Sequence, residues 1–422
     1  MRWSSRALLL PLAVVLGGCG VCRQVATHQE AFNEARVGEA ETPTPHLRLT
    51  IPKSHIKGWE KKTVKRLAKT TMGIPGLGDL ARYLGTLELV PRDIGLMATD
   101  EGLRVEIDLD VRRGKRRLFG LAMTAVAPTH YDAKRGRLKV DVRADLFESI
   151  EPRIEGDAVK GISAAVYNAL PAGLGRLIPR KRIDAMARRA AEHLIANAYR
   201  HLRNSVLTQL GQLTSFSVSI PRVPLAGLWL RTHHGDWIVE AQFQSPARGL
   251  GKPMKVHHGH LRLAMSADAV AHLGNWAMDE RHLPARFTEE GRATASGPFR
   301  AGLQWGGGRR PLKVHLWTAD SDDAAICVRV RAGGRPRLVY ERNKLSVGFV
   351  DGKLEEVVGP PLFESVLSIL GITERVFNYT KKIAVRSRLK LGDRPTGLTL
   401  ERAAIRGEVL EFELSRMKPP RG

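Results

Sequence analysis

Cysteine, acidic residues and aromatic residues are all scarce in this chain of 422 residues. Three cysteines are too few for the disulfide framework of a small secreted scaffold. Acidic residues number 43 against 67 lysine and arginine residues, which excludes an acidic protein and gives a formal charge of +24. Beyond the amino-terminal segment, no apolar run approaches the roughly 20 residues of a membrane-spanning helix. Hydrophobic residues still make up 43% of the chain, so it can bury a core of its own.

The beginning of the chain has the pattern of a secretory signal. Arg2 and Arg6 precede an apolar run at 7–16, and a Leu-Gly-Gly-Cys sequence follows that ends at Cys19. A positive start, a short apolar core and small residues at the cleavage point are typical of signal peptides. The Leu-Gly-Gly-Cys sequence resembles the lipobox of bacterial lipoproteins, in which the chain is cut before a cysteine that then carries acyl chains such as palmitate. We therefore expect a signal peptide at 1–18 and a lipid anchor on Cys19.

The residue after Cys19 indicates which membrane of the cell envelope would hold the lipid-anchored protein. In many Gram-negative bacteria an aspartate at this position retains lipoproteins in the inner membrane, and this chain has Gly20 there. We therefore expect a lipid-anchored protein of the cell envelope, in the outer membrane and facing the periplasm.

The excess of positive charge indicates an anionic partner. In an exported protein that partner is a phospholipid head group, a lipopolysaccharide phosphate or a cell-wall polymer rather than nucleic acid. The densest basic cluster lies between two strand-like runs and comprises Arg112, Arg113, Lys115, Arg116 and Arg117. A solvated loop and a contact with head groups or a membrane surface both fit this cluster.

The two cysteines other than Cys19 have no assigned role in the sequence. Cys22 lies just after the expected anchor, and Cys327 lies in a predicted strand. A second acylation of Cys22, its simple exposure and a Cys22–Cys327 disulfide all remain open. We expect a fold that does not depend on disulfides.

The rest of the chain divides into a tether, two similar halves and a tail. Residues 19–45 include little apolar periodicity after Gln24, which predicts a flexible tether that spans about 25–30 Å. The order strand, helix, strands, helix, strands then occurs twice, at 46–250 and at 251–415, before a tail at 416–422. In each half an early strand leads into a helix, and Ser54 and Ser266 are the expected caps of those helices.

Strict alternation marks the clearest strand of the first half. Val105, Ile107, Leu109 and Val111 alternate with charged residues, which predicts a strand with its apolar side chains facing the core. The same pattern places Asp110 on the solvent face.

No motif in the sequence predicts catalysis. A nucleophile elbow, a phosphate-binding Walker loop and a dinucleotide fingerprint are all missing. His257, His258 and His260 are the best metal candidates, but no cysteine or acidic residue lies near them in sequence. We expect no catalytic residue, metal or cofactor, and an enzyme is the third-ranked alternative because only the histidine clusters favour it.

Two helices carry apolar stripes. The longer stripe includes Ile183, Met186 and Ala190 and predicts a helix of about 46 Å at 183–213. Core packing and an elongated cavity for acyl chains give the same pattern, because a groove between a twisted sheet and a helix is lined from both layers. The candidate lipid-binding residues are Leu194, Leu202, Val206, Leu210, Phe363, Leu367, Leu370 and Phe377.

The order of elements resembles that of the TULIP (tubular lipid-binding) superfamily, and of the two-domain proteins like bactericidal/permeability-increasing protein in particular. The resemblance covers about 46–415 and is one of pattern. It is carried by the segments Leu47–Ile51, Asp100–Val105, Leu263–Ser266, Leu273–Trp276, Gly359–Phe363 and Arg394–Leu398. The chain departs from the mammalian members in having no cysteines for their disulfide between the long helix and the sheet.

This resemblance implies an α+β fold of two tandem, elongated lobes. Each lobe would be a long curved antiparallel sheet wrapped around a long amphipathic helix, and each could enclose acyl chains. No catalytic residues are implied. The expected function is therefore binding, and transport, of phospholipid or lipopolysaccharide-like lipid by a membrane-tethered lipoprotein. The alternative is a structural or assembly lipoprotein with packed lobes, which docks a protein or an anionic polymer through its basic surface.

Overall fold

A computed structural model describes most of the two predicted halves. The described residues are 9–38, 44–67, 88–113, 115–132, 135–154, 159–161, 163–164, 167, 177–193, 196, 216–219, 223–253, 260–288, 292–318, 327–342, 344–359, 379–384, 390–391, 394–395 and 398–416.

The named helices and strands follow one another with many hairpins. The helices are α1 (Leu9–Glu34), α2 (Lys53–Leu67) and α3 (Ala267–Asp279), with a 3-10 turn at Ala144–Leu146, and residues 180–193 are also helical. The strands are β1 (Leu47–Ile51), β2 (Glu88–Thr99), β3 (Gly102–Arg113), β4 (Arg116–Ala127), β5 (Thr129–Asp132), β6 (Arg137–Val140), β7 (Phe147–Ile154), β8 (Phe216–Ser219), β9 (Leu225–His233), β10 (Asp236–Phe243), β11 (Leu261–Ser266), β12 (Arg286–Phe287), β13 (Ala293–Thr294), β14 (Phe299–Trp305), β15 (Leu312–Thr318), β16 (Arg329–Glu341), β17 (Lys344–Val358), β18 (Tyr379–Ala384), β19 (Lys390–Leu391), β20 (Arg394–Pro395), β21 (Leu398–Arg406) and β22 (Val409–Arg416).

A six-stranded sheet combines strands from both predicted halves. Its order is β21-β22-β11-β1-β10-β9, so β1 lies in its interior and pairs antiparallel with β10 on one side and β11 on the other. The two neighbours of β1 therefore come from different predicted halves: β10 precedes the expected boundary between residues 250 and 251, and β11 follows it. The α+β class with antiparallel sheets is confirmed. The wrapping of two lobes around long helices remains a prediction.

Four further sheets lie among the residues that the structure describes. They are a seven-stranded sheet in the order β13-β12-β14-β15-β16-β17-β18, a four-stranded sheet β2-β3-β4-β7, a three-stranded sheet β5-β6-β8 and the pair β19-β20. One sheet is curled into a half-barrel. No helix among the residues that the structure describes is long and apolar enough to span a bilayer.

The largest core cluster confirms the alternation in β3. Val105, Ile107, Leu109 and Val111 are all buried in it, together with residues of α2 and of the six-stranded sheet. Deleting several methyl groups in such a core costs about 2–5 kcal/mol, so this cluster is a main source of stability.

One of the two expected helix caps is confirmed. The side chain of Ser266 accepts a hydrogen bond from the N–H of Ala269 at the start of α3. The prediction for Ser54 is wrong, because α2 already begins at Lys53, whose N–H donates to the carboxylate of Asp236 at 2.9 Å. A residue more than 180 positions away thus supplies the acceptor at the start of α2, which the local sequence could not indicate.

Part of the expected tether is an ordered helix. In α1, Val25 is fully buried, and Val21 and Phe32 pack near it against the seven-stranded sheet. The approach of Phe32 is close enough that a Cβ added to Gly302 would lie 2.7 Å from the phenyl ring. The prediction of a flexible segment is therefore wrong for residues 24–34, because one apolar face of α1 binds the sheet.

A disulfide reinforces this contact. Cys22 of α1 and Cys327, which lies two residues before β16, are joined with their Cα atoms 4.9 Å apart. Of the alternatives left open for Cys22, the structure shows the disulfide with Cys327, so a covalent bond joins a helix to the seven-stranded sheet.

The burial of His315 beneath α1 predicts a loss of stability in acid. Its side chain is 4% exposed, and burial, assisted by the charges of Arg329, Arg331 and Lys313, lowers its pKa from 6.5 to about 4. Below pH 6.5 this histidine takes up a proton in the unfolded chain but not in the folded chain. The contribution of neutral His315 to the free energy of unfolding is therefore fully present above pH 6.5 and declines as the pH falls towards 4. We expect a loss on the order of 3 kcal/mol across this interval, measured by urea unfolding.

The control is His315→Gln, which cannot take up the proton. Its free energy of unfolding is expected to fall less than that of the native chain between pH 7 and pH 4.5. Equal slopes for the two proteins would show that other groups cause the acid sensitivity.

Candidate lipid-contact site

Arginines from three strands converge on one buried carboxylate of the four-stranded sheet. Asp110 on β3 is 1% exposed, and Arg112 on the same strand donates a hydrogen bond to it at 2.8 Å. The Nε of Arg117 on β4 lies 2.7 Å from the same carboxylate. The Nε of Arg92 on β2 lies 3.6 Å from it. We call these four residues the Asp110 cluster.

Strand irregularities build this cluster. In the pairing of β3 with β4, the register shifts between Val111 and Arg112, after which Arg112 lies directly opposite Arg117. In the pairing of β2 with β3, the shift falls between Pro91 and Asp93, so that Arg92 is the extra residue of a bulge. Bulges redirect side chains, which explains how three guanidinium groups reach one carboxylate.

Two sequence expectations change here. Asp110 was expected on the solvent face but is buried, because the three arginines cover it. Arg92 was not among the predicted contact residues, and the sequence carries no signal for the bulge that places it. The expected contact residues Arg113 and Arg116 have side chains outside the described part of the structure, so only Arg112, Lys115 and Arg117 can be placed.

The Asp110 cluster carries two more positive charges than negative ones. The side chains of Arg92, Arg112 and Arg117 are 46%, 39% and 24% exposed, and Lys115 is exposed beside them. Asp110 therefore holds together like charges that would otherwise repel, and all three arginine side chains remain partly exposed. Chemically, this arrangement can bind a phosphate or carboxylate without large rearrangement.

A second set of arginines surrounds Asp351 on β17. Arg310 donates to the Asp351 side chain at 3.2 Å and to its backbone carbonyl at 2.7 Å, and Arg335 and Arg309 lie 3.4 and 3.6 Å from the carboxylate. Desolvation acts to raise the pKa of Asp351, but the hydrogen bond and charge of Arg310, with the charges of Arg335 and Arg309, outweigh it and lower that pKa. Sequence reasoning missed this set, although a Gly- and Arg-rich turn at 306–310 was its visible signal.

The predicted apolar contact residues lie outside the described residues. Leu194, Leu202, Val206, Leu210, Phe363, Leu367, Leu370 and Phe377 are all in this group, so their lining of a groove remains a prediction. The preceding helical segment 180–193 is described. It buries Ile183, Ala187 and Ala191, whereas the large side chain of Met186 is 53% exposed.

The exposure of Met186 marks the edge of the buried face of this helix. Ile183, Ala187 and Ala191 are spaced by four residues and form the buried face. Met186 lies about 60° around the helix from Ile183 and is exposed. The predicted stripe is therefore buried at Ile183 and exposed at Met186.

The histidine clusters do not form a metal site in the described residues, among which no group of three or more His, Cys, Asp or Glu side chains is placed to hold a metal ion. His257 and His258 lie outside those residues. The rings of His233 and His234 contact each other, with centroids 4.2 Å apart, at the turn between β9 and β10.

Comparison with known proteins gives only distant structural likenesses. No family model matches the chain, and no curated protein matches it in sequence. It is similar to P47 of Clostridium botulinum E1, with 8% identity and a TM-score of 0.41 over 91% of this chain and 100% of that one. It is also similar to P47 of Clostridium botulinum A2, with 7% identity and a TM-score of 0.36 over 89% and 97%.

A lipopolysaccharide binding protein is a third likeness, with 12% identity and a TM-score of 0.28 over 89% of this chain and 100% of that one. These TM-scores are too low to establish a common fold or a common ligand.

Proposed function

We propose that the chain is a non-enzymatic lipoprotein of the cell envelope, anchored through Cys19, that binds and transfers phospholipid or lipopolysaccharide-like lipid. Acyl chains would occupy an apolar groove beside the helix that includes 180–193. The basic side chains of the Asp110 cluster and Lys115 would contact anionic head groups. The outer membrane, facing the periplasm, is the proposed location.

The observation that carries this proposal is the exposure of two large apolar side chains close together in the sequence. Met186, on the helical segment 180–193, is 53% exposed, and Leu177, just before the segment, is 78% exposed. The same segment buries Ile183, Ala187 and Ala191. Exposed apolar surface of this kind loses contact with water when an acyl chain covers it, at roughly 0.8 kcal/mol per buried CH₂ group.

Native mass spectrometry with lipid extraction tests the groove. The sample is the chain secreted without acylation at Cys19. It is purified in a detergent that dissociates from the protein under mild activation in the mass spectrometer. Phospholipid or glycolipid that co-purifies in near-stoichiometric amount supports lipid binding. A mass without lipid, unchanged after incubation with liposomes, would reject the groove and favour the structural or assembly lipoprotein.

The head-group contact predicts a selective effect of charge removal. The double variant Arg112→Gln and Lys115→Gln leaves Arg117 and Arg92 to neutralise Asp110, so we expect it to fold. At about 1 kcal/mol for each cation near an anionic surface, it is expected to bind phosphatidylglycerol liposomes about 30-fold more weakly in co-sedimentation.

The matched control is Arg337→Gln with Lys344→Gln, which removes two exposed positive charges from β16 and β17. Liposome binding by this control is expected to stay near the native level, and lipid bound in the groove is expected to remain in both variants. Equal weakening by the two variants would show that only net charge matters.

A further inference from the structure

The helix that carries the expected lipid anchor is fixed to the body at several points. At its middle, the Cys22–Cys327 disulfide joins α1 to the residues before β16. Farther along, the ring centroids of Phe32 and Trp317 are 4.9 Å apart. Just after the helix, Arg36 forms an ion pair with Asp279 of α3. These contacts fix both the position and the direction of α1 on the seven-stranded sheet.

The expected anchor is close to the first of these fixed points. Cys19 precedes Cys22 by three residues within α1, which at 1.5 Å per residue corresponds to a rise of about 4.5 Å. Cleavage before Cys19 would leave Cys22 in the first helical turn of the mature chain. The acyl chains would then emerge about one turn from the sheet, without the flexible tether that the sequence suggests.

We propose that α1 is a rigid anchor that holds the Cys327 end of β16 and β17 against a lipid bilayer. The proposal rests on the acylation of Cys19 in the proposed function. It assigns the membrane-facing surface of the body, whereas the proposed function concerns the lipid that the body carries.

The strand register defines this surface. Arg329 at the start of β16 pairs with Val358 at the end of β17, and Val358 packs in the same cluster as Cys22 and Cys327. The opposite end of these strands is the hairpin turn at Arg342. The 13 residues of β16 separate the two ends by about 40 Å, at 3.3 Å per residue.

Charged side chains near the proposed surface are mostly paired with one another. Arg329 contacts Glu356 at 2.9 Å, Arg331 lies 3.3 Å from Glu356 and 3.5 Å from Glu355, and Lys313 pairs with Glu355. The sequence that joins β15 to Cys327 also contains three aspartates, at positions 320, 322 and 323. The proposed orientation therefore follows from the position of the anchor and not from the net charge.

Hydrogen exchange on the lipidated chain tests the proposal. The chain is produced with its own amino-terminal segment in a Gram-negative host and placed in nanodiscs of phosphatidylethanolamine and phosphatidylglycerol. Its exchange is compared with that of the chain secreted without acylation. Attachment is expected to slow exchange by about an order of magnitude at 20–26, 327–331 and 354–358, and to leave 336–347 unchanged.

Three results would overturn the proposal. The first is an unmodified Cys19 in the mass of the mature amino-terminal peptide. The second is slowing at 336–347 that equals the slowing near Cys327. The third is an unchanged pattern in the variant Cys22→Ser with Cys327→Ser, in which the part of α1 next to the anchor is expected to loosen from the sheet and the protection at 327–331 to be weakened.

The two proposals fail in different ways. The orientation is measured on the acylated chain in nanodiscs, and lipid binding in the groove is measured on the unacylated chain by native mass spectrometry. A chain with the expected exchange pattern and no co-purified lipid would keep the rigid anchor and reject the lipid carrier.

Discussion

Glu240→Ala is expected to lower the free energy of unfolding by about 3–5 kcal/mol, because it leaves a buried arginine without its counter-ion. Glu240 is 1% exposed in β10, and Arg48, directly opposite it on β1, is 7% exposed and donates to it at 2.6 Å. Arg231 on β9 contacts the other carboxylate oxygen. Without Glu240, the Arg48 guanidinium stays in the centre of the six-stranded sheet with no opposite charge. Urea unfolding followed by circular dichroism measures the change.

A double variant separates the charge effect from the loss of packing. Arg48→Met with Glu240→Leu removes both ions and fills similar volume, so we expect it to recover most of the stability that Glu240→Ala loses. If the double variant were as unstable as the single one, packing around residue 240 rather than the unpaired arginine would explain the loss.

The second large effect concerns the disulfide between α1 and the seven-stranded sheet. Cys22→Ser is expected to lower the free energy of unfolding by about 2–5 kcal/mol, because the bond restricts the unfolded chain over a sequence separation of 305 residues. Thermal and urea unfolding of the native chain and the variant, both without reductant, measure the difference.

A reductant provides the control for this variant. Dithiothreitol is expected to lower the stability of the native chain to that of Cys22→Ser and to leave the variant unchanged. Coinciding unfolding curves for the native chain and the variant without reductant would contradict a stabilising role for the bond.

The sequence predicted the parts of the fold that follow local periodicity. The alternation of Val105 to Val111 identified β3 and its core face, and the position of Ser266 identified the start of α3. These predictions succeed because a strand or cap depends on residues a few positions apart. The α+β class with antiparallel sheets is what the resemblance in the order of elements implies.

The features that the sequence did not predict depend on contacts between distant segments. The carboxylate of Asp236 accepts a hydrogen bond from the first N–H of α2. Cys327 forms a disulfide with Cys22 of α1, 305 residues away in sequence. Arg92 reaches Asp110 because of a bulge, and no residue pattern signals that bulge. Met186 fits the predicted apolar stripe by its spacing yet is exposed, because the width of the buried face depends on the elements that pack against the helix.

The interior position of β1 has a consequence for how the chain folds. This strand pairs Leu47 with Ala241 and with Met265, so its two ladders close loops of roughly 200 residues. Contacts this distant in sequence slow folding, since the entropy of loop closure is lost before the contacts form. A piece that ends near residue 250 would expose the unpaired edge of β1. We therefore expect β1 to be paired on both sides only when β11 is present, and the six-stranded sheet to be complete only when β22 is present.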